Sequence, residues 1–167
     1  PTVVSPNPEE KAALTMDIEK AKKVHADVVL ATDPDADRVG IAVRDDKGEM
    51  ILLNGNQTAS LLTYYILTKW NEAGRLGDHT YCVKTIVTTE LLTAIAQKFG
   101  VQMYDVLTGF KYIGGEILEL ENMGQVERFV FGFEESCGYL KGSYARDKDA
   151  VVASMLVCEL AAYWKSQ

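Results

Sequence analysis

The sequence predicts an α/β fold in which mixed, mostly parallel sheets are covered by helices. From residue 55 onward, segments with helical periodicity alternate with short β-branched apolar runs, which is the order expected of strands joined by crossover helices. Hydrophobic residues make up 47% of the 167 residues and charged residues 25%. Such a composition is typical of a globular protein that builds one generous domain, or one domain plus part of another.

The first 54 residues predict a helix, a strand and a hairpin. Asn7 suits an N-cap and Pro8 the first helical position, so a helix is expected from there to about residue 26. The run DVVLATD, residues 27–33, predicts a buried strand, which we expect to be parallel because a helix precedes it. Residues 38–45 (RVGIAVRD) and 49–54 (EMILLN) flank a glycine-containing turn and predict a hairpin.

The remaining residues predict a unit in which helices and strands alternate. Helices are expected at 55–74, 89–99, 109–122 and 150–167, strands at 80–87, 101–106 and 128–135, and a long polar loop at 136–149. The boundary between the two units falls near residues 54–57, which divides the chain into units 1–54 and 55–167.

Charge and cysteine content exclude several classes of protein. The 24 acidic and 17 basic residues give a net charge of −7, and no basic block exists that could track nucleic-acid phosphates. The three cysteines form no CxxC pair, so we expect a reducing, cytoplasmic compartment rather than a disulfide framework. No apolar run is long enough to span a membrane and no signal peptide opens the chain. The sequence begins without methionine, which suggests a piece of a larger protein.

Three aspartates at alternate positions follow the first predicted strand, in ATDPDADRVG. In an extended segment Asp33, Asp35 and Asp37 point to the same side, and a bound divalent cation would relieve their repulsion. Carboxylates are hard ligands, so Mg²⁺ is expected, with Mn²⁺ or Ca²⁺ as alternatives. Arg38 beside such a metal indicates a site for a phosphoryl group.

Other interpretations of the same residues are a solvated acidic turn, an EF-hand and a haloacid-dehalogenase-type phosphatase. The EF-hand fails, because its glycine and glutamate positions hold Arg38 and Arg44. In the phosphatase, Asp33 would be the nucleophile and Asp35 the acid. That pattern expects Thr or Val where this chain has Asp37, so the fit is partial and the interpretation stays as an alternative.

Six segments in sequence order resemble the α-D-phosphohexomutase superfamily of phosphoglucomutases and phosphomannomutases. They are PNPEE, ATDPDADRVGIAV, KTIVTTELL, TGFKYIGGEI, FGFEESCGYL and RDKDAV. The resemblance implies the phosphohexomutase type of α/β domain. It also implies that residues 1–54 are the C-terminal part of metal-binding domain 2 and residues 55–167 the sugar-recognition domain 3. Domains 1 and 4, with the phosphorylated serine and a phosphate-binding loop, would lie in the rest of the parent chain.

The resemblance also implies roles for individual residues. Asp33, Asp35 and Asp37 would ligate Mg²⁺, and Arg38 would contact the transferring phosphoryl group. Substrate-binding roles fall to Thr108, Gly109, Lys111, Glu134, Ser136 and Arg146, with Glu134 and Ser136 holding sugar hydroxyls. Lys84 and Lys148 are the candidate acid/base groups. Cys137 stands where many relatives have glycine directly after the serine.

By resemblance, the parent protein interconverts hexose 1-phosphate and hexose 6-phosphate, with glucose and possibly mannose as the sugar. It would act through a phosphoserine and a bisphosphate intermediate, with glucose 1,6-bisphosphate as activator, while this portion alone would be inactive. The other candidate functions are the phosphatase with Asp33 as nucleophile and a non-catalytic module that binds metal or sugar phosphate.

Overall fold

The computed structural model describes residues 3–77 and 79–167, which form two sheets covered by five helices. The first unit contains α1 (Thr15–Val24), β1 (Val28–Thr32), β2 (Val39–Arg44) and β3 (Met50–Leu53). The second contains α2 (Gly55–Glu72), β4 (Tyr81–Thr85), α3 (Leu91–Lys98), β5 (Gln102–Val106), α4 (Phe110–Asn122), a 3₁₀ turn (Val126–Arg128), β6 (Phe129–Glu134), β7 (Gly138–Lys141) and α5 (Ala150–Lys165).

The smaller sheet has the order β1-β2-β3 and is antiparallel throughout. The prediction that the first strand is parallel is therefore wrong. Residues 33–38 are too few to carry a crossover, so β2 must return beside β1 in the opposite direction. The predicted hairpin at residues 38–54 is confirmed, with Ile41 opposite Leu53 and Arg44 opposite Met50.

The larger sheet has the order β5-β4-β6-β7 and is mostly parallel, as predicted. Strand β4 pairs in parallel with β5 and β6, and β7 runs antiparallel along the edge of β6. Strand β7 lies inside the segment 136–149, which was wrongly predicted to be a loop throughout. Its Tyr139 and Leu140 are buried, but an apolar run this short between polar neighbours has no clear period.

Both units contribute to one core. Val39 and Ile41 of β2 pack in the same cluster as Leu62 and Ile66 of α2 and Phe131 of β6. A smaller cluster on the opposite face of the antiparallel sheet contains Leu14, Ala21, Val29, Ala42 and Met50. The two sheets are therefore held together by apolar packing, and the loop after β1 meets the segment after β6.

The helix boundaries follow local capping. The Asn54 side chain accepts a hydrogen bond from the Gln57 backbone N–H at 2.9 Å, and the Gln57 side chain accepts one from the Asn54 backbone N–H at 2.9 Å. Helix α2 therefore begins at a capping box. Asn7 does not cap α1 as predicted, because its Oδ1 accepts from Glu9 N in a local turn and the helix begins only at Thr15. In the described parts of the chain, no helix is long and apolar enough to cross a membrane.

Candidate functional site

The three aspartates lie in a tight loop that joins β1 to β2. Asp33 is 5% exposed and closes this loop, because its Oδ1 accepts from the backbone N–H groups of Asp37 (3.1 Å) and Arg38 (3.0 Å). Ala36 has a φ of 57°, a left-handed conformation that turns the chain between the aspartates. One carboxylate oxygen from each of Asp33, Asp35 and Asp37 lies within 4.8 Å of the others. The loop thus gathers three hard oxygen ligands, a donor set that fits Mg²⁺.

Arg38 lies directly against these carboxylates. Its Nε donates to Asp33 Oδ2 at 2.9 Å, and NH1 lies 3.6 Å from Glu9 Oε2. Burial alone would raise the pKa of Asp33, but the hydrogen bonds from Arg38 outweigh burial and hold the pKa below its ordinary value. Asp33 is therefore an ionised group with both oxygens already hydrogen-bonded.

Lys148 brings a second cation to the loop from the other unit. Its Nζ lies 2.9 Å from both Asp37 Oδ2 and Asp147 Oδ1. Burial lowers the pKa of Lys148, but the two carboxylates outweigh it and the pKa is raised. Burial, with Asp33 nearby, raises the pKa of Asp37 despite this ion pair. Lys148 is thus a firmly protonated ammonium, which suits it to holding an anion, and its acid/base role stays a prediction.

Backbone contacts join the aspartate loop to the segment after β6. Val39 N donates to Cys137 O at 3.1 Å, and Arg38 forms an isolated antiparallel bridge with Gly138. A Cβ on Gly138 would lie 2.2 Å from Lys148 Cδ, so glycine is required for the lysine stem to pass. Cys137 is buried with a φ of 64°.

Glu134 ends β6 beside this junction and is 7% exposed. Burial raises its pKa, while the charge of Lys148 and a backbone hydrogen bond from Gly109 act in the opposite direction. Ser136 follows two residues later and is half-buried. The Phe110 ring centroid lies 5.4 Å from Lys148 Nζ, so the start of α4 also borders the site.

Three further residues that were predicted to bind substrate are Thr108, Lys111 and Arg146. Thr108 and Lys111 are exposed at the start of α4, where Lys111 Nζ lies 4.9 Å from the Tyr112 ring centroid. The Arg146 guanidinium donates to Glu121 and to Ser143 O. Its predicted contact with substrate stays a prediction.

Lys84 ends up fully buried at the carboxyl end of β4. Its Nζ is bound by Asp105 at 2.8 Å, Glu90 at 2.9 Å and the Thr88 carbonyl at 3.2 Å. Burial lowers the pKa of Lys84, yet the two carboxylates outweigh burial and the pKa is raised. Lys84 shares a sheet edge with Glu134, since its neighbour in the register is Phe133. In this geometry its ammonium serves ion pairs, and the acid/base role stays a prediction.

Sequence reasoning missed a polar network under the Glu134–Ser136 segment. Glu135 Oε2 accepts from the Thr85 hydroxyl at 2.9 Å and lies 3.4 Å from the Thr88 hydroxyl, while those two hydroxyls are 2.7 Å apart. The signal was present in KTIVTTELL, which places Thr85 at the end of β4 and Thr88 just after it. Asp147, the second partner of Lys148, was also missed.

Comparison with known proteins shows the same family in sequence and in structure. The family model described as phosphoglucomutase/phosphomannomutase, alpha/beta/alpha domain III, matches residues 54–167, and the model for domain II matches residues 1–48. The chain is 40% identical to a phosphopentomutase of Mus musculus over 168 aligned positions and to a phosphoglucomutase of Staphylococcus aureus (strain USA300) over 164. Each alignment covers 98% of this chain, which spans only 27% and 28% of those two relatives.

Solved structures of this family share the fold. A phosphomannomutase-type protein from Thermus thermophilus superimposes with a TM-score of 0.73 at 25% identity, over 92% of this chain and 31% of that one. Parafusin, a phosphoglucomutase from Paramecium, gives a TM-score of 0.67 at 20% identity, over 96% of this chain and 26% of that one.

Proposed function

This chain belongs to the phosphoglucomutase/phosphomannomutase family, and we propose on that basis that it is the metal-binding and sugar-recognition portion of a sugar-phosphate mutase. Residues 1–54 would be the end of domain 2 and residues 55–167 domain 3. The phosphorylated serine and the remaining phosphate contacts would come from domains 1 and 4 of the parent protein.

The convergence of three aspartates, two cations and Glu134 at the junction of the two units carries this proposal. Asp33, Asp35 and Asp37 would hold Mg²⁺, which when bound would neutralise charge on phosphoryl oxygens. Arg38 and Lys148 would hold the same oxygens from the protein side, since a guanidinium and an ammonium both donate to an anion. Arg38 belongs to the first unit and Lys148 to the second. If both hold the same phosphoryl group, they would fix the distance between the metal loop and the bound sugar.

Glu134 and Ser136 would bind neighbouring sugar hydroxyls. The carboxylate accepts two hydrogen bonds, and the serine hydroxyl both donates and accepts, so the pair fits vicinal hydroxyls in either of two flipped orientations. A mutase needs both orientations, because the phosphoryl group must reach position 1 in one and position 6 in the other. Glucose 1,6-bisphosphate would be the activating intermediate.

Hexose phosphate is the substrate class that we propose, with glucose first and mannose next. A pentose phosphate is the second candidate, since the relatives named phosphopentomutase and phosphoglucomutase are equally identical to this chain. Turnover of glucose 1-phosphate, mannose 1-phosphate and ribose 1-phosphate by the full-length parent, compared as kcat/KM, distinguishes the three.

The phosphatase alternative requires Asp33 to attack a phosphoryl group. Asp33 Oδ1 accepts from two backbone N–H groups and Oδ2 accepts from Arg38, so the negative charge is already stabilised and the carboxylate is a weak nucleophile. Oδ2 keeps one free lone pair, which is enough to ligate a metal ion. Intact mass after incubation with Mg²⁺ and glucose 1,6-bisphosphate tests this point. A phosphoryl group mapped to Asp33 would favour the phosphatase over the mutase portion.

Metal binding is tested by Asp35→Asn, with Asp46→Asn in the exposed β2–β3 turn as matched control. Calorimetric titration of this chain with Mg²⁺ should lose its signal in Asp35→Asn only, and the full-length parent should lose most turnover with the same substitution. Sugar-phosphate binding without turnover in a parent with every domain present would instead support a non-catalytic module.

A further inference from the structure

A small cavity lies at the amino-terminal edge of the larger sheet, opposite the edge that carries Lys84 and Glu134. Its volume is about 200 Å³, and it is lined by two tyrosines, two glutamates, one arginine and two apolar side chains near the end of α4. Tyr81 begins β4 and pairs in register with Gln102 of β5. Tyr104 of β5 packs edge to face against Tyr81, with ring centroids 4.9 Å apart. The cavity therefore opens between α4 and these two strands.

The two glutamates of the cavity stand three residues apart on α4, so they lie on the same face of the helix. Glu116 is half-buried and Glu119 is exposed. Neither forms an ion pair with a described lysine or arginine, whereas Glu121 of the same helix pairs with Arg146. Burial raises the pKa of Glu116 and the negative charge of Glu119 raises it further, with no cation acting in the opposite direction. A bound cation would relieve this repulsion.

Tyr81 brings a buried hydroxyl to the same cavity. The residue is 3% exposed, and its Oη forms no hydrogen bond with any residue that the structure describes. In that part of the chain, Thr63 Oγ1 is the one fully buried side-chain polar atom without a partner, so Tyr81 Oη keeps contact with the cavity that Tyr81 lines. The Tyr104 hydroxyl, by contrast, donates to Gln102 Oε1 at 2.9 Å. Tyr81 thus offers an acceptor that the fold leaves unused.

Arg128 is the cation on the cavity wall, and its hydrogen bonds are made elsewhere. Its Nε donates to His79 O at 2.8 Å and its NH1 donates to Gln125 Oε1. The guanidinium carbon lies 5.7 Å from the Tyr81 ring centroid, but Arg128 forms no ion pair with either glutamate of the cavity. Two carboxylates against one guanidinium leave the wall with an excess of negative charge.

We propose that this cavity binds small amines, as a primary ammonium group on a short alkyl chain. A primary ammonium has three N–H donors, and Glu116, Glu119 and Tyr81 Oη are three acceptors that line one cavity. Bonds from an ammonium to a carboxylate belong to the stronger class of hydrogen bond. The alkyl chain would pack against Leu120 and Met123. The proposal does not depend on the mutase assignment, since no residue of the proposed site lines this cavity.

Butylammonium is the probe, and 1-butanol is its uncharged counterpart of similar size. Titration of the isotope-labelled chain at pH 7.5, followed by amide chemical shifts, measures affinity and location together. We expect saturable shifts at Tyr81, at Tyr104 and along the second half of α4 with butylammonium, and none with 1-butanol. Nα-acetyl-lysine methylamide carries the same ammonium on a peptide unit and should bind more weakly, because the cavity is small.

Two variants test the acceptors. Tyr81→Phe removes an oxygen without a partner in the described chain, so Tm should not fall while butylammonium binding weakens about threefold to tenfold. Glu119→Gln should weaken binding about fivefold, because a charge-assisted bond is lost. Glu127→Gln is the matched control, since it removes the same charge from an exposed position near the same sheet edge but does not line the cavity. Its affinity for butylammonium should be unchanged.

Equal shifts with 1-butanol would overturn the proposal, because apolar contact alone would then explain binding. Equal losses in Glu127→Gln and Glu119→Gln would also overturn it, since they would show only general attraction to a negatively charged chain. Unchanged affinity in Tyr81→Phe would remove the hydroxyl from the site, and tighter binding of the lysine derivative would replace small amines by a protein side chain. The comparison of butylammonium with 1-butanol on the native sequence decides the matter even if a variant fails to fold.

Discussion

Lys148 Nζ lies 2.9 Å from Asp37 Oδ2, so a cation from the second unit neutralises one of the three converging aspartates of the first. This ion pair crosses the junction that the hydrogen bond from Val39 N to Cys137 O also closes. A divalent ion bound by Asp33, Asp35 and Asp37 would have to share Asp37 with this ammonium. If the three aspartates hold a metal ion as proposed, metal affinity and attachment of the two units are coupled through one side chain.

Replacing Lys148 with glutamine should tighten Mg²⁺ binding to this chain while it lowers turnover of the full-length parent. Removing a unit charge beside Asp37 makes the loop more negative, which should lower the dissociation constant on the order of tenfold. Calorimetric titration measures the affinity, and a coupled assay of glucose 6-phosphate formation measures turnover. Lys165→Gln, which removes an exposed ion pair with Asp27, is the control and should change neither. Weaker Mg²⁺ binding in Lys148→Gln would contradict the coupling.

Gly55→Ala should destabilise the fold because α2 begins in direct contact with the Glu134–Ser136 segment. A Cβ on Gly55 would lie 1.8 Å from the backbone oxygen of Glu135, and backbone cannot yield as a side-chain tip can. We expect a loss of about 2–3 kcal/mol in the free energy of unfolding, measured by urea denaturation. Gly115→Ala in α4 has no neighbour within 4 Å and should gain up to about 1 kcal/mol. Equal effects of the two substitutions would contradict this account.

The sequence predicted the alternation of elements in residues 55–167 well, since buried parallel strands and amphipathic helices have distinct periods. The prediction failed where pairing between strands determines whether a strand forms and in which direction it runs. Strand β7 is short and flanked by polar residues, so only its pairing with β6 reveals it. The direction of β1 depended on β2, its partner along the small sheet, and not on the helix before it.

Glu135→Ala should weaken sugar binding only by disturbing the positions of Glu134 and Ser136. The Glu135 carboxylate is hydrogen-bonded to Thr85 and Thr88 and does not itself form part of the proposed sugar site. Losing these bonds frees the segment that carries Glu134 and Ser136. In the full-length parent we expect KM for hexose phosphate to rise about threefold to tenfold with a smaller change in kcat, consistent with about 1 kcal/mol per hydrogen bond.

Glu135→Gln keeps an acceptor for the Thr85 hydroxyl and should restore most of the affinity that Glu135→Ala loses. If the glutamine variant were as impaired as the alanine variant, the charge of Glu135 would matter and a purely positioning role would be wrong. Steady-state kinetics with both variants, at matched protein concentration, provides the comparison.

The candidate site was predictable where spacing in the sequence sets geometry. Three aspartates at alternate positions converge, but through a turn at Ala36 and not through the extended segment that was predicted. Lys84 and Arg146 could not be placed in this way, because their orientation depends on carboxylates from other elements: Asp105 and Glu90 for the lysine, Glu121 for the arginine. Charge pairing across the fold leaves no periodic trace in the sequence.

Glu134→Gln should stabilise the chain at neutral pH while it removes sugar binding. Burial raises the pKa of Glu134 above its ordinary value of 4.5, so the folded state holds this proton more tightly than the unfolded state does. Stability of the native sequence therefore falls as pH rises from about 4.5 through the raised pKa, and the glutamine variant lacks this loss. Thermal unfolding should give nearly equal Tm values at pH 4 and a higher Tm for Glu134→Gln at pH 7.5. Glu127→Gln, at an exposed 3₁₀ turn, should show no such divergence, and a lower Tm for Glu134→Gln at pH 7.5 would mean that ionised Glu134 stabilises the fold through Lys148 and Gly109.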